Sequence, residues 1–192
     1  MHGNIIKYRL MAVDPGSSFV GVAMFDMCDN DIVKIHTWTI RGSNVTRSLY
    51  GNVKTSNLQY SDKIEYICSQ IESMVEDYEP SAVGVETPFY GLSAQTFASL
   101  TNTYTSICST IGKTIHDLPV YGVTPSSGKS SVGALHKKFT KLPNKEKVKA
   151  AISELPEITD VMDQPLDSLS EHAIDAIAVC YAMLERDFRW KK

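Results

Sequence analysis

Three apolar runs fill most of the first forty residues, Tyr8 to Asp14, Phe19 to Asp26 and Ile32 to Ile40, and the gaps between them are too short to hold a helix. The separators are Pro15-Gly16-Ser17-Ser18 and the stretch Met27 to Asp31. A parallel connection needs a dozen or more residues, so the chain is predicted to open as an antiparallel meander. Each run is rich in Val, Ile, Phe or Met, as strands are.

The pattern then changes. Arg41 to Gln59 is polar and reads as a long loop. Ser61 to Tyr78 carries Ile64, Ile67, Cys68, Ile71, Met74 and Val75 at helical spacing, and Glu79-Pro80 ends it. Ala82 to Glu86 is a short apolar strand stopped by Thr87-Pro88, Ser93 to Ile111 a second helix, and Pro119 to Thr124 a fifth strand. Pro125 to Leu142 is expected to be a lysine-rich loop. Asn144 is placed as the cap of a helix to about Leu155. The last helix is expected from Ser168, where Ser168-x-x-Glu171 has capping-box form, to about Arg186. A meander followed by alternating helix and strand gives an α/β fold, a mixed five-stranded sheet with helices on both faces. Residues 1–192 show no repeat, linker or low-complexity tract, so one domain is expected.

Several function classes drop out. Cys28, Cys68, Cys108 and Cys180 form no CxxC pair, which argues against a zinc site or a disulfide framework. Ser126-Ser127-Gly128-Lys129-Ser130 lacks the spacing of a phosphate-binding P-loop. No GxSxG elbow is present, and His2, His36, His116 and His136 fall at no ligand spacing. No apolar segment approaches the ~18 residues of a membrane span, and the start lacks a signal-peptide core. A soluble, intracellular protein without membrane contact or organic cofactor is expected. The formal charge is −3, yet residues 129–149 hold seven lysines (129, 137, 138, 141, 145, 147 and 149) and one acid, Glu146. Such asymmetry suits a localised phosphate contact, or simply a solvated basic face.

The polar residues at the element ends carry the chemistry. Asp14 ends the first strand and Glu86 the fourth, and a carboxylate at the end of a buried strand must meet a cation or a wet cleft. Two such strands side by side bring their acids together, which repulsion opposes unless a divalent metal lies between. His172 and Asp175 share one face of the last helix. Asp14 before Pro-Gly, Glu86 before Thr-Pro and His172 near a cap each also have an ordinary structural reading. Asp175, inside Ala-Ile-Asp-Ala-Ile-Ala-Val, is hard to read as a solvated acid. The four make a hard oxygen-rich set with one imidazole, suited to Mg²⁺ or Mn²⁺.

In order and spacing, Ala12-Val13-Asp14-Pro15-Gly16-Ser17-Ser18 with Gly21-Val22-Ala23, then Val85-Glu86-x-x-Phe89, then His172-Ala173-Ile174-Asp175-Ala176-Ile177-Ala178-Val179 resembles the RuvC family of Holliday-junction resolvases. The resemblance runs from Asp14 to Leu184. It implies a ribonuclease H-like fold, a homodimer, and divalent ions held at four positions: Asp14 as the metal-bridging acid, Glu86 as the second, Asp175 as the helix acid and His172 where the family usually has Asp. That last departure removes a negative charge and bears on metal preference. Phe89 sits where the family has an aromatic near the junction. Lys129-Ser130-Ser131-Val132-Gly133 resembles the family's DNA-contacting loop, and Asn144-Lys145-Glu146-Lys147-Val148 the start of the helix after it, with 134–143 replacing a usual Gly-x-Gly.

The expected activity is therefore a crossover junction endodeoxyribonuclease: two Mg²⁺ or Mn²⁺ ions at Asp14, Glu86, His172 and Asp175, with Phe89, Lys129, Lys137, Lys138, Lys141 and Lys145 against four-way or branched DNA. A two-fold homodimer, through Ser61–Tyr78 or 93–111, would place paired symmetric nicks. The resemblance suits a cytoplasmic bacterial or phage-encoded protein. The rivals are a nuclease for flaps, other branched DNA or structured RNA, and a non-catalytic junction binder in which His172 marks a decayed site. A sugar-kinase or actin-like nucleotide binder shares an Asp-Gly turn but needs two related domains, for which 192 residues are too few.

Overall fold

The N-terminal runs pair as expected in the computed structural model, which describes residues 6–42, 60–91 and 93–188. Strand β1 (Tyr8–Asp14) pairs antiparallel with β2 (Phe19–Cys28), and β2 with β3 (Asp31–Arg41). Of the polar stretch 41–59, only Arg41 and Gly42 fall among the described residues. Helix α1 (Tyr60–Tyr78) leads to β4 (Ala82–Glu86), which lies parallel to β1, and α2 (Ala94–Thr114) leads to β5 (Val120–Val123), parallel to β4. The spatial order is β3-β2-β1-β4-β5.

Side chains alternate across a strand, and the sheet has two cores. Met11, Val13, Val22, Met24, Val83 and Val85 pack with Ile67, Ile71 and Val75 of α1 and Ile107 and Ile111 of α2. On the opposite face Leu10, Ala12, Ala23, Phe25 and Ala82 pack against helix α6 (Glu171–Met183), whose residues from Ala176 to Met183 are all buried. Asp14, Glu86 and Gly21 share the parity of this second face, so the strand-end carboxylates point toward α6.

Three local expectations need correction. The lysine-rich stretch is not all loop: α3 (Pro125–Ser131) follows β5, with Thr124 Oγ1 accepting from the Ser127 N–H at 3.2 Å, and a 3₁₀ turn spans Lys137–Phe139. Buried Val132, Ala134 and Phe139 tie this segment to the α6 core. Helix α4 (Asn144–Ile152) begins at Asn144 rather than after it. Pro143 stands at the cap, and the Asn144 side chain accepts from Lys147 Nζ at 2.9 Å. After α5 (Pro156–Thr159), α6 is capped by Ser170, not Ser168. Ser168 lies in a 3₁₀ turn and donates to the Pro165 carbonyl, whereas Ser170 Oγ accepts from the Ala173 N–H and sits 2.6 Å from Thr39 Oγ1.

Residues after α5 also cover the β3 edge: the Ile35 N–H donates to the Val161 carbonyl, and the Asp163 N–H donates to the Ile35 carbonyl. Among the described residues no helix is long and apolar enough to cross a membrane.

Candidate active site

Asp14 and Glu86 close neighbouring parallel strands, in a register that pairs Val13 with Val85. Helix α6 reaches them because Gly21, opposite Asp14, carries no side chain: a Cβ there would stand 1.9 Å from the His172 carbonyl oxygen. The Ser170 cap and its contact with Thr39 fix where α6 starts. His172 then falls in the first turn and Asp175 a turn later, toward the strand ends. His172 Nδ1 is 2.7 Å from Asp14 Oδ2, an ion pair between an imidazole and a nearly buried carboxylate. The structure thus brings all four predicted residues to one place.

Their electrostatics follow from crowding. Burial, then the charges of Asp14 and Asp175, push the Glu86 carboxyl up to about 8, with Lys129 opposing. Burial and Asp14 push Asp175 up to about 6, while Lys129 and His172 pull it down. The hydrogen bond to Asp14 raises His172 above the usual imidazole value, against the opposing effect of its burial. Burial and the neighbouring Asp14 charge therefore disfavour the ionised forms of Glu86 and Asp175, a condition that a divalent cation relieves. Among the described residues no three His, Cys, Asp or Glu side chains are gathered as a ready-made metal cage. Asp14 is engaged by His172. The donor chemistry, three carboxylates and an imidazole, fits a hard divalent ion. His172 meets the Asp14 carboxylate through Nδ1, so this contact does not use Nε2.

Lys129 lies in α3 and acts on both raised carboxylates, so it belongs to the site. Phe89, three residues past Glu86, is 71% exposed beside a cleft of about 110 Å³ lined by Pro15, Glu86, Thr87 and Pro88. The other lysines divide. Lys137 and Lys141 are exposed, whereas Lys138 pairs with Glu154 and covers the Phe139 ring. Lys149 pairs with Asp167 at 2.9 Å. Lys145 stands in α4, its side chain outside what is described. The basic stretch is thus partly neutralised by acids that lie beyond it in sequence.

Sequence reasoning missed three neighbours of this site. Phe19 stacks on the His172 ring, with centroids 6.1 Å apart and planes 12° apart. Arg41 lies over the other participant, its guanidinium 6.0 Å from the Phe19 centroid. Tyr90, 68% exposed, sits edge-on to Phe97 beside Phe89. The signal for Phe19 was a large aromatic at a strand's first residue, between the Asp14 turn and Gly21. Nothing local marked Arg41, which becomes its neighbour only through the β2–β3 register.

A family model described as crossover junction endodeoxyribonuclease RuvC matches residues 10–182. Proteins of that name from Cytophaga hutchinsonii and Caldicellulosiruptor saccharolyticus are 24% and 22% identical. The first alignment covers 95% of this chain and 80% of that protein, the second 90% and 96%. Among solved structures, Thermus thermophilus RuvC in complex with Holliday junction substrate superposes with a TM-score of 0.63 at 13% identity, over 91% of each chain. The yeast mitochondrial Holliday junction resolvase Ydc2 gives 0.59 at 12%, over 95% of this chain and 82% of that one. With these the chain shares the ribonuclease H-like fold, a mixed five-stranded sheet with helices on both faces.

Proposed function

Because the chain belongs to the RuvC family, we propose that it is a divalent-metal-dependent endonuclease that resolves four-way DNA junctions by paired symmetric nicks. The observation that carries this reading is the convergence of Asp14, Glu86 and Asp175 from two strand ends and one helix turn, where burial and the Asp14 charge raise Glu86 and Asp175, beside Lys129 and the exposed Phe89.

In this reading Asp14, Glu86 and Asp175, with Nε2 of His172, hold two ions of the Mg²⁺ or Mn²⁺ type. When bound, these supply the charge that lowers the pKa of water and stabilises a departing 3′ oxygen. The protein's own groups do the rest. Asp14 orients the His172 imidazole through the 2.7 Å contact. Lys129 presents a positive charge to the cleft that receives the scissile phosphate. Phe89 offers an exposed face on which an unpaired base at the branch stacks. Lys137, Lys138, Lys141 and Lys145 contact phosphates farther along an arm, with Lys138 doing so only by leaving Glu154.

Symmetric cuts follow from a two-fold homodimer. Supporting it is an open groove of about 620 Å³ between α1 and α2, lined by Tyr60, Ile64, Cys68, Asn102, Thr105 and Lys113, where a second copy can seat its own helix pair.

The test compares nicking of a synthetic four-way junction, a flap and linear duplex, with Mg²⁺ or chelator, by wild type and Asp14→Asn. Paired symmetric nicks on the junction alone, lost with chelator and in the variant, are expected. Equal cutting of all branched forms replaces the reading with a general structure-selective nuclease. Binding without cutting in Mg²⁺ or Mn²⁺ removes the enzyme.

A further inference from the structure

Four strand ends line up along the edge that carries the acid cluster. Across the sheet, Arg41 at the end of β3 pairs with Phe19 at the start of β2, β2 continues to Gly21 opposite Asp14, and β1 leads on to β4 and Glu86. The next strand, β5, runs directly into α3 and Lys129. All the named side chains have the parity of the α6 face: Thr37, Thr39 and Arg41 alternate with Trp38 and Ile40, which pack toward the opposite core. The carboxylates therefore lie between two cations, Lys129 on the β5 side and Arg41 on the β3 side. The end of β3 is two strand spacings, roughly 10 Å, from that of β1.

The two cations differ in what they do now. Lys129 lowers both raised carboxylates, whereas Arg41 acts on neither. Among the described residues no carboxylate pairs with Arg41 either, and its guanidinium lies over the Phe19 ring. That ring is in turn held parallel to His172, and the backbone beneath is tight: a Cβ on Gly16 would meet the Phe19 carbonyl oxygen at 2.2 Å and His172 Cε1 at 3.2 Å. An exposed, always-charged guanidinium thus rests against an aromatic ring at the rim of the site.

We propose that Arg41, held by Phe19, contacts the nucleic-acid backbone at a phosphate neighbouring the scissile one, on the side opposite Lys129. The strand being cut then crosses the sheet edge from β3 toward β5, with a cation on each side of the carboxylates. This rests on the nuclease reading above but assigns a contact outside the lysine segment. Phe19 is a positioning residue, acting through Arg41.

The experiment measures affinity for a labelled four-way junction by fluorescence anisotropy across a KCl series, with Ca²⁺ in place of Mg²⁺. The variants are Arg41→Ala, Arg41→Lys, Phe19→Ala, the double variant, Lys129→Ala and Lys34→Ala. Lys34 is an exposed cation on the same strand near its other end. Losing one phosphate contact reduces the slope of log K against log salt by about 0.9, equivalent to roughly eightfold in affinity at 0.1 M salt. Arg41→Ala is expected to show that loss, and Arg41→Lys to keep the slope while binding more weakly, having lost the stacked planar group. Removing Arg41 after Phe19→Ala is expected to cost less than removing it from wild type. Lys34→Ala is expected to match wild type. An Arg41→Ala slope equal to that of Lys34→Ala, with Lys129→Ala still showing its loss, overturns the Arg41 contact and leaves the nuclease reading standing. A fall in affinity that tracks a fall in Tm with unchanged slope overturns it too. Wild type that prefers no branched DNA defeats the junction reading, while the slope of Arg41→Ala on duplex still decides the contact.

Discussion

Gly21→Ala is the sharpest test of how helix α6 and the sheet build the site together. The added Cβ would lie 1.9 Å from the His172 carbonyl oxygen, 2.2 Å from its carbonyl carbon and 2.7 Å from the Ala173 nitrogen. All three are backbone atoms of the first turn of α6, so no side-chain rotation relieves the clash. Ordinary contacts begin near 3.4 Å, and the first turn must therefore retreat by about 1.5 Å or the strand must buckle. Overpacking of this kind costs about 1–3 kcal/mol. In a chain of this length that lowers Tm by roughly 3–10 °C. The functional cost is larger, because His172 and Asp175 ride on that turn and a misplacement near 1 Å is worth about 100-fold in rate. Gly84→Ala is the matched comparison. It lies on the same face, but its nearest neighbour is the flexible Met183 Sδ at 3.3 Å, so a loss within about 1 kcal/mol and near-normal nicking are expected. Urea or thermal melts and single-turnover nicking of a four-way junction give both numbers. Gly21→Ala that melts with Gly84→Ala and nicks at the wild-type rate would refute the argument that close backbone approach positions the cluster.

Ser170→Ala removes the cap of α6 and its tie to Thr39, and a cost of about 1–2 kcal/mol is expected in urea melts, against less than about 0.5 kcal/mol for Ser168→Ala. In the metal-free protein Glu86, Asp175 and His172 all have raised pKa values, so the folded state binds more protons than the unfolded state between the two sets of values. By linkage, the stability from these groups is present at low pH and is lost as pH rises toward 8; Glu86→Gln is expected to flatten that loss, and a Tm–pH series without divalent ions checks it. Adding Mg²⁺ or Mn²⁺ is expected to release protons, visible as a buffer-dependent binding enthalpy in calorimetry. Gly112→Ala, in α2 with nothing within 4 Å of the new methyl, is expected to stabilise the protein by about 0.5–1 kcal/mol in the same melts.

The meander was legible because separators of four or five residues exclude every alternative to hairpins. What escaped the sequence was decided by contacts distant along the chain. The heptamer Pro125–Ser131 is rich in Ser and holds a Gly, a composition that argues against a helix. It is helical because Thr124 caps it and buried Gly128 rests against Ala178 of α6, at an ordinary 3.7 Å from a would-be Cβ. Ser168 and Ser170 are equivalent as local cap signals, and the choice between them is made by Thr39, 131 residues away. Lysines 138 and 149 looked free because their partners, Glu154 and Asp167, lie outside the window in which the charge was counted.

The same reasoning makes the site and the sheet register a single claim. Asp14 and Glu86 meet because β1 and β4 are parallel and aligned Val13 to Val85, so that both carboxylates project to the α6 face. A slip of one residue would turn Glu86 to the apolar side occupied by α1 and α2, among Val75, Ile107 and Ile111, where an unpaired carboxylate costs several kcal/mol on the order of a buried charge. The alternation Ala82-Val83-Gly84-Val85 prevents this, since its two valines belong to that apolar side and its two small residues leave room for α6 on the other. Gly84 and Gly21 are therefore not gaps in the core. They are the clearance that lets a largely buried helix carry His172 and Asp175 up to the two strand ends, which is why a strand of five residues and this helix build a candidate site when packed together.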